Sequence, residues 1–313
     1  MTSNKHVSVL LNEAIDSLNI NPDGVYVDLT LGRAGHSGEI LKHLSKKGHL
    51  YAFDKDICAI NESEKKLSTI GGNYTLIHSD FRFFKEKLAA LGVTRVDGIL
   101  LDLGVSSPQF DNIERGFSYH GDAPLDMRMD ESQAFSAYDV INTYSEQDLR
   151  RVLWDYGEEK FAKSIAHNIV KARNNAPIRT TSELCEIIKA SKPAKELAKK
   201  GHPAKQVFQA IRIEVNDELN ALKEALNEAL TLLNVGGRIV VISFHSLEDR
   251  IVKVTFNNAS RVEGNRINDW KVPSKEDEPD YRLVGKMILP SEEEMEVNPR
   301  SKSAKMRVLE KIK

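Results

Sequence analysis

Glycines and carboxylates occur early in the chain at spacings that suit a nucleotide-like ligand. Gly32 and Gly35 lie in a loop, residues 28–36, that follows a short apolar run. Glycines in such a loop let the backbone approach a ligand closely and present N–H groups at the start of a helix. Asp54 ends the next apolar run, 22 residues after Gly32, close to the separation at which a carboxylate accepts hydrogen bonds from ribose hydroxyls. Together these features predict a site for a cofactor that contains adenosine.

The spacing of the glycines separates two classes of cofactor. The pattern Gly32-x-x-Gly35-x-x-Gly38 differs from the G-x-G-x-x-G fingerprint of dinucleotide-binding folds, which disfavours a nicotinamide-dependent oxidoreductase. By itself the loop fits a tight strand-to-helix turn equally well. Asp80 and Phe81 follow a third apolar run, where an acid and an aromatic ring could frame an adenine. This second feature favours a ligand over a plain turn.

The fourth apolar run leads into the sequence LDLGVSSPQF at residues 101–110. This segment resembles the Asp/Asn/Ser-Pro-Pro-aromatic loop of methyltransferases that modify exocyclic amino groups of bases, with Gln109 in place of the second proline. The lone pair of such an amine is delocalised into the ring, so acceptors must hold the amine in line with the methyl group of the donor. We therefore predict S-adenosylmethionine (SAM) as the cofactor and Asp102, Ser106 and Pro108 as the transfer centre. For Ser-Ser-Pro, a simple turn that leaves the strand is the alternative.

The four apolar runs, each with an acid within two residues of its end, predict a parallel sheet built from βαβ units. They span residues 25–29, 49–53, 74–78 and 96–101. In such sheets the ligand lies beyond the carboxyl ends of the strands, which is where the acids collect. Helix N-capping would explain any one of these acids, but their recurrence at one edge of one sheet favours a ligand site.

A long interval before the fifth strand predicts an inserted domain. That strand, 238–243, is preceded by one predicted helix whose apolar residues recur from Phe208 to Leu233. Residues 102 and 238 are 136 positions apart, whereas a βαβ unit needs only about 30. The interval predicts helices at 146–153, 161–173 and 181–190, the last with the cap-like sequence Thr-Thr-Ser-Glu. We predict an α/β core formed by residues 1–112 and 206–313, a small helical domain at 113–205, and an extended surface segment at 265–296.

Composition narrows the function classes further. Charged residues make up 29% and hydrophobic residues 41%, as in folded soluble proteins, and no uncharged apolar run is long enough for a membrane span, so we expect a cytoplasmic protein. Cys58 and Cys185 are too few for a disulfide framework or a thiolate zinc site, and neither follows a proline, which argues against methylation of a base carbon. The histidines lack the spacing of metal ligands, so we expect no metal.

The net charge of −2 does not indicate nucleic acid, but basic runs at 192–205 and 299–313 are either RNA contacts or solvated helix faces.

Four blocks of sequence resemble one family closely, the small-subunit rRNA cytosine N4-methyltransferases (the MraW or RsmH family). The blocks are HVSVLLNE at 6–13, GRAGHS at 32–37, residues 101–129 with ERGFS and PLDMRM, and SFHSLEDR at 243–250. Residues 201–204, 208–212 and 298–300 extend the resemblance over nearly the whole chain. Two departures are small: Ala34 occupies a position where glycine is common, and Asp80 precedes Phe81 where an acid is not general.

The resemblance implies a Rossmann-like class I SAM-dependent methyltransferase core with an inserted helical domain. It implies methylation of N4 of one cytosine in the decoding region of 16S rRNA within the small ribosomal subunit, by a monomer or homodimer. It places the SAM contacts at Ala34, Gly35, His36, Asp54, Phe81, Asp102 and Gln109. The RNA contacts predicted from these blocks and the basic runs are Arg128, Lys205, His245, Arg250 and Arg300, for which internal packing is the alternative. Two other functions stay open: a DNA amino-methyltransferase, and a non-catalytic RNA-binding factor of ribosome assembly.

Overall fold

The structure, a computed structural model, describes residues 8–261 and 278–313, except for the side chains of Ser107 and Pro108. It contains two compact units: one runs to Gly104 and resumes at Leu219, and the other spans Val105–Glu218. The second unit is therefore larger at both ends than the insert that we expected at 113–205. The reason on the C-terminal side is packing, because the helix Lys205–Asn216 buries its apolar face in the core of this second unit.

The first unit contains a sheet of seven strands among its described residues, in the order β3-β2-β1-β4-β5-β7-β6. Strands β1 to β5 are parallel, as predicted, whereas β7 is antiparallel to both β5 and β6. The bounds are β1 Val25–Asp28, β2 His49–Asp54, β3 Tyr74–His78, β4 Val96–Asp102, β5 Leu233–Ser243, β6 Tyr281–Leu283 and β7 Lys305–Lys311. β5 begins five residues before its predicted start, with a register shift where it first pairs with β4.

Helices cover both faces of this sheet. Successive strand residues point to opposite faces, so that Val27, Ile99 and Val241 pack in one cluster while Tyr26, Leu100 and Val240 pack in another. Strands buried on both faces read as continuous apolar runs, which is why their pattern was visible in the sequence. The helices are α1 Leu11–Leu18, α2 Gly35–His43, α3 Ile57–Leu67, α4 Phe84–Ala90, α12 Glu218–Leu232, α13 Ser246–Ala259 and α14 Glu292–Val297.

The second unit is helical and has a core of its own. Its helices are α5 Ser107–Asp111, α6 Ala137–Thr143, α7 Glu146–Asp155, α8 Ala162–Arg173, α9 Thr181–Ala190, α10 Ala194–Leu197 and α11 Lys205–Asn216. The predicted helices at 146–153, 161–173 and 181–190 are present within one or two residues. The cap predicted for the last one is confirmed, because Thr180 and Glu183 form a reciprocal capping box at the start of α9.

Two predictions about elements were wrong. The sequence from Phe208 to Leu233 is not one helix but two, because Asp217 adopts a left-handed conformation with φ of 49° between α11 and α12. The segment 265–296, expected to be extended, contains β6 and α14 in its described part, and residues 262–277 lie outside the described residues.

In the parts of the chain that the structure covers, no helix has the length and apolar character needed to span a membrane.

Candidate active site

Three acids end neighbouring strands of the sheet. Asp28 is the last residue of β1, Asp54 of β2 and Asp102 of β4. Asp28 is in register with Ala52 on one side and Leu100 on the other, so Asp54 and Asp102 each lie two residues further along their strands. The acids therefore collect at the carboxyl edge of the sheet, which is where open α/β sheets bind their ligands.

The loop between β1 and α2 makes its tight turn with two left-handed residues. Gly32 has φ of 48° and Ala34 has φ of 52°, and Ala34 is fully buried as the N-cap of α2. A left-handed residue with a Cβ costs about 1–2 kcal/mol relative to the right-handed conformation, whereas glycine pays no such cost. This geometry explains why the resemblance expects glycine at position 34.

The segment that precedes α1 packs on this loop. The carbonyl oxygen of Val9 lies 3.1 Å from Nε2 of His36, and a carbonyl can only accept, so Nε2 carries a hydrogen. A Cβ placed on Gly35 would overlap the hydroxyl of Ser8 and lie 3.0 Å from Ser8 Cβ. Burial lowers the pKa of His36 to about 4, so the imidazole is neutral at physiological pH.

Asp54 is positioned by two backbone donors. Its Oδ2 accepts a hydrogen bond from the N–H of Gly32 at 2.9 Å, and its Oδ1 accepts one from the N–H of Asp56, also at 2.9 Å. Burial raises the pKa of Asp54 to about 6. Each carboxylate oxygen can accept a second hydrogen bond, so Asp54 retains acceptor capacity for two ribose hydroxyls.

Asp28 and Asp102 differ in their hydrogen bonding. Asp28 accepts from the N–H of Thr30 at 3.0 Å and from the hydroxyl of Ser37 at 2.6 Å. The N–H of Asp102 donates to the hydroxyl of Thr30 at 2.6 Å, but Oδ1 of Asp102 is buried and has no hydrogen-bond partner among the described residues. Burial, then Asp28 and then Glu248 raise the pKa of Asp102 well above its ordinary value. A buried carboxyl oxygen without a donor fits a cationic ligand such as SAM.

Asp80 and Phe81 have separate roles. The carboxylate of Asp80 accepts from the N–H of Arg82 at 2.9 Å and caps the short 3-10 helix Phe81–Phe83. The side chain of Asp80 therefore caps a helix, which was the alternative to a ligand site for these acids. Phe81 is half-buried and packs against the core of the sheet, which leaves it as the candidate for an adenine contact.

Ser106, Pro108 and Gln109, the predicted transfer loop and last cofactor contact, belong to the helical unit. Oε1 of Gln109 accepts a hydrogen bond from the N–H of Ser106 at 3.0 Å, and Gln109 is 5% exposed. The side chain of Pro108 is outside the described part of the chain. The structure thus brings Ser106 and Gln109 together at the start of α5.

The residues predicted to contact RNA divide into two groups. Arg128 forms a bidentate pair with Asp126, at 2.9 and 2.7 Å, and its Nη1 donates to the carbonyl oxygens of Glu131 and Gln133. His245 is the N-cap of α13, and its side chain lies 3.1 Å from Glu248. These two side chains are engaged inside the protein. By contrast, the cations that are exposed are Lys205, Arg250 and Arg300.

Internal contacts explain the block at 126–129, which the sequence did not. Nη2 of Arg115 donates to the carbonyl oxygens of Arg128 and Met129, at 2.9 and 3.1 Å. The amide of Asn216 donates to the carbonyl oxygen of Met127 and accepts from the N–H of Met129, both at 2.8 Å. Met127 is left-handed, with φ of 58°, so this loop needs such support.

Sequence reasoning missed three members of the site at the sheet edge: Asp28, Ser37 and Glu248. Asp28 had a detectable signal, since it ends its strand as the other acids do. Ser37 and Glu248 had none, because only the folded chain shows that one donates to Asp28 and the other acts on the charge of Asp102.

The fold and this edge define a class of protein. A sheet with five parallel strands, a reversed β7 and a glycine loop before α2 is a Rossmann-like class I methyltransferase core, and Asp54 at the end of β2 accepts a hydrogen bond from this loop. The family model described as the MraW methylase family matches residues 3–312. The chain belongs to this family and is a methyltransferase.

One sequence relative and two solved structures illustrate the likeness. Ribosomal RNA small subunit methyltransferase H of Streptococcus dysgalactiae subsp. equisimilis is 55% identical over 311 residues, 98% of either chain. A putative rRNA methylase from Clostridium thermocellum aligns with a TM-score of 0.47 at 12% identity, over 98% of this chain and 100% of its own. An rRNA methylase from Streptococcus thermophilus aligns with a TM-score of 0.44 at 12% identity, over 96% and 93%.

Proposed function

We propose that this protein transfers a methyl group from SAM to N4 of one cytosine in the decoding region of 16S rRNA. The observation that carries the proposal is the carboxyl edge of the sheet, where Asp54 has acceptor capacity for a ribose and Oδ1 of Asp102 lacks a donor among the described residues. The relative that is 55% identical is a small-subunit rRNA methyltransferase by name, and this supports the choice of rRNA as the substrate.

The residues of the site have distinct tasks. Asp54 binds the ribose, the turn at Ala34, Gly35 and His36 contacts the cofactor, and Phe81 contacts the adenine. SAM, when bound, supplies an electrophilic methyl group. Asp102 offers acceptors that hold the cytosine amine in line with this group, and the roles of Ser106 and Pro108 stay predictions from the sequence. Because the amine attacks directly, positioning and hydrogen bonding supply the rate enhancement, and no covalent enzyme intermediate forms.

The substrate is the small ribosomal subunit in the cytoplasm. Lys205, Arg250 and Arg300 are exposed cations that suit phosphate contacts, whereas the engagement of Arg128 and His245 favours a structural role for those two side chains. The target cytosine must leave its helical context to reach the methyl donor, as bases do in other base-modifying enzymes. The protein acts as a monomer or homodimer and needs no metal, since the transfer needs no activated water.

The test is methyl transfer from labelled SAM to small subunits isolated from cells that lack this protein, followed by nucleoside analysis. We expect N4-methylcytidine with the wild type and a loss of label with Asp102→Ala. Glu224→Ala is the matched control, because it removes an exposed carboxylate from α12, outside the proposed site. Label at another atom would contradict the proposed reaction.

The same assay separates the two alternatives. A DNA amino-methyltransferase would label DNA of matched sequence in preference to small subunits. A non-catalytic assembly factor would bind the subunit without labelling it. Preferential labelling of DNA, or SAM binding without transfer to any small subunit preparation, would therefore replace the proposed function.

A further inference from the structure

Besides Asp54, the carboxyl edge of the sheet holds three further carboxyl groups and an imidazole, and hydrogen donors are distributed unevenly among these three. Asp28 accepts hydrogen bonds from Thr30 and Ser37. Glu248, 3% exposed, accepts from the N–H of Phe244 at 2.7 Å and from the N–H of His245 at 3.2 Å. Such donors stabilise the ionised form of a carboxylate. Oδ1 of Asp102, in contrast, is buried without any donor from the described residues.

The imidazole of His36 presents an acceptor, not a donor, to Asp102. The contact with the carbonyl of Val9 fixes the hydrogen on Nε2, and the ring is neutral because its pKa is about 4. Nδ1 therefore carries a lone pair, and it lies 3.6 Å from Oδ2 of Asp102. The side chain of His36 is 5% exposed and that of Asp102 is 24% exposed. Two acceptors that face each other at this distance repel unless a hydrogen lies between them, and a proton on the carboxyl of Asp102 would supply one.

The surrounding charges also favour the protonated form of Asp102. The charged groups that raise the pKa of Asp102 are Asp28 on β1 and Glu248 on α13, and burial raises the pKa of Asp28 as well. The neutral His36 on α2 adds no positive charge. Asp102 combines burial, two neighbouring acids and an oxygen without a donor among the described residues. Of the three carboxyl groups, it is therefore the one whose protonated form is stabilised most.

We propose that, without cofactor, Asp102 holds a proton directed at Nδ1 of His36, and that binding of the cationic cofactor expels this proton. The inference rests on the proposed function in taking SAM as the cofactor. The sulfonium supplies the positive charge in place of the proton. After transfer the product S-adenosylhomocysteine (SAH) lacks that charge, and the carboxylate takes a proton up again.

The proton balance of the reaction closes with this exchange. The N4 amine forms a bond to the methyl carbon, the bond from that carbon to sulfur breaks, and its electron pair stays on sulfur. The amine loses one proton, and Asp102 regains one as the sulfonium charge disappears. Asp102 is therefore the group whose protonation state differs between the SAM and SAH complexes.

Proton-linked calorimetry tests the exchange independently of activity. The enthalpies of SAM and of SAH binding are measured at pH 7 in buffers of different ionisation enthalpy, and the slope gives the number of protons released. We expect a net release of protons with SAM and a markedly smaller release with SAH. In Asp102→Asn, which keeps the shape of the side chain, SAM should still bind and the release should be lost, whereas Glu224→Gln should behave as the wild type.

Several results would overturn the inference. SAM binding whose enthalpy does not depend on the buffer, or a proton release that persists in Asp102→Asn, would exclude Asp102 as the proton holder. An infrared band of a protonated carboxyl that disappears on addition of SAM and is absent from Asp102→Asn gives a second readout. Failure to methylate small subunits despite proton-linked SAM binding would refute the proposed function and leave this inference standing, whereas absence of SAM binding would refute both.

Discussion

Replacement of Gly35 by alanine should disturb the cofactor loop through one contact, with Ser8. The added Cβ would overlap the Ser8 hydroxyl, and rotation of that hydroxyl leaves Ser8 Cβ at only 3.0 Å. Overpacking of this kind costs about 1–3 kcal/mol. Gly35 does not have a positive φ, so alanine also restricts the unfolded chain and returns about 0.4–1 kcal/mol. The net expectation for Gly35→Ala is a loss of about 0.5–2 kcal/mol in the free energy of unfolding.

The effect of Gly35→Ala on the free energy of unfolding should change sign when Ser8 is also replaced. In Ser8→Gly the offending atoms are gone, and the next atom, the Cα of residue 8, lies 4.0 Å from the added Cβ, an ordinary van der Waals distance. Alanine at position 35 should then be neutral or stabilising by up to about 1 kcal/mol. The coupling energy between the two positions should equal the overpacking cost, about 1–3 kcal/mol.

Urea denaturation of the wild type, the two single variants and the double variant measures this coupling. SAM binding provides a second readout, because the displaced segment carries the carbonyl of Val9 that holds His36. Gly72→Ala is the matched control, since no atom lies within 4 Å of a Cβ at that glycine. Equal destabilisation by Gly35→Ala in the wild type and in the Ser8→Gly variant would refute the steric argument.

Three further predictions concern single groups. Burial raises the pKa of Asp54 to about 6, so its carboxylate is lost as the pH falls through 6. SAM affinity should therefore fall more steeply between pH 7 and pH 5 than the proton held by Asp102 alone would cause, and Asp54→Asn should retain only the contribution of Asp102. Arg128→Ala should lower the free energy of unfolding by about 1–3 kcal/mol, since it breaks the pair with Asp126, and should leave the salt dependence of subunit binding unchanged. A reduced salt slope in this variant would assign Arg128 to RNA. Lys205→Ala and Arg300→Ala should each reduce the slope of log K against log salt by about 0.7–0.9 per phosphate contact, and unchanged slopes would exclude both from the RNA interface.

The sequence determined much of the fold because the inner parallel strands, β1, β4 and most of β5, are largely buried on both faces. Such strands appear as continuous apolar runs, and four of the five predicted runs begin at the residue where the strand begins. The helical unit was predictable because the interval between β4 and β5 is far longer than a crossover between parallel strands needs. The limits of that unit were not visible, since the periodicity of α11 and α12 continues through Asp217 and only its left-handed backbone separates them.

For the site, the sequence determined which residues end the strands, and the sheet brought them together. Asp54 was found because its distance from Gly32 along the chain reflects the length of one βα unit. The tertiary structure alone decided the proton positions: Val9 fixes the tautomer of His36, Ser37 donates to Asp28, and Asp102 keeps a buried oxygen without a donor among the described residues. These are contacts between segments distant along the chain, and their energies depend on burial and distance, which no local pattern of residue types encodes.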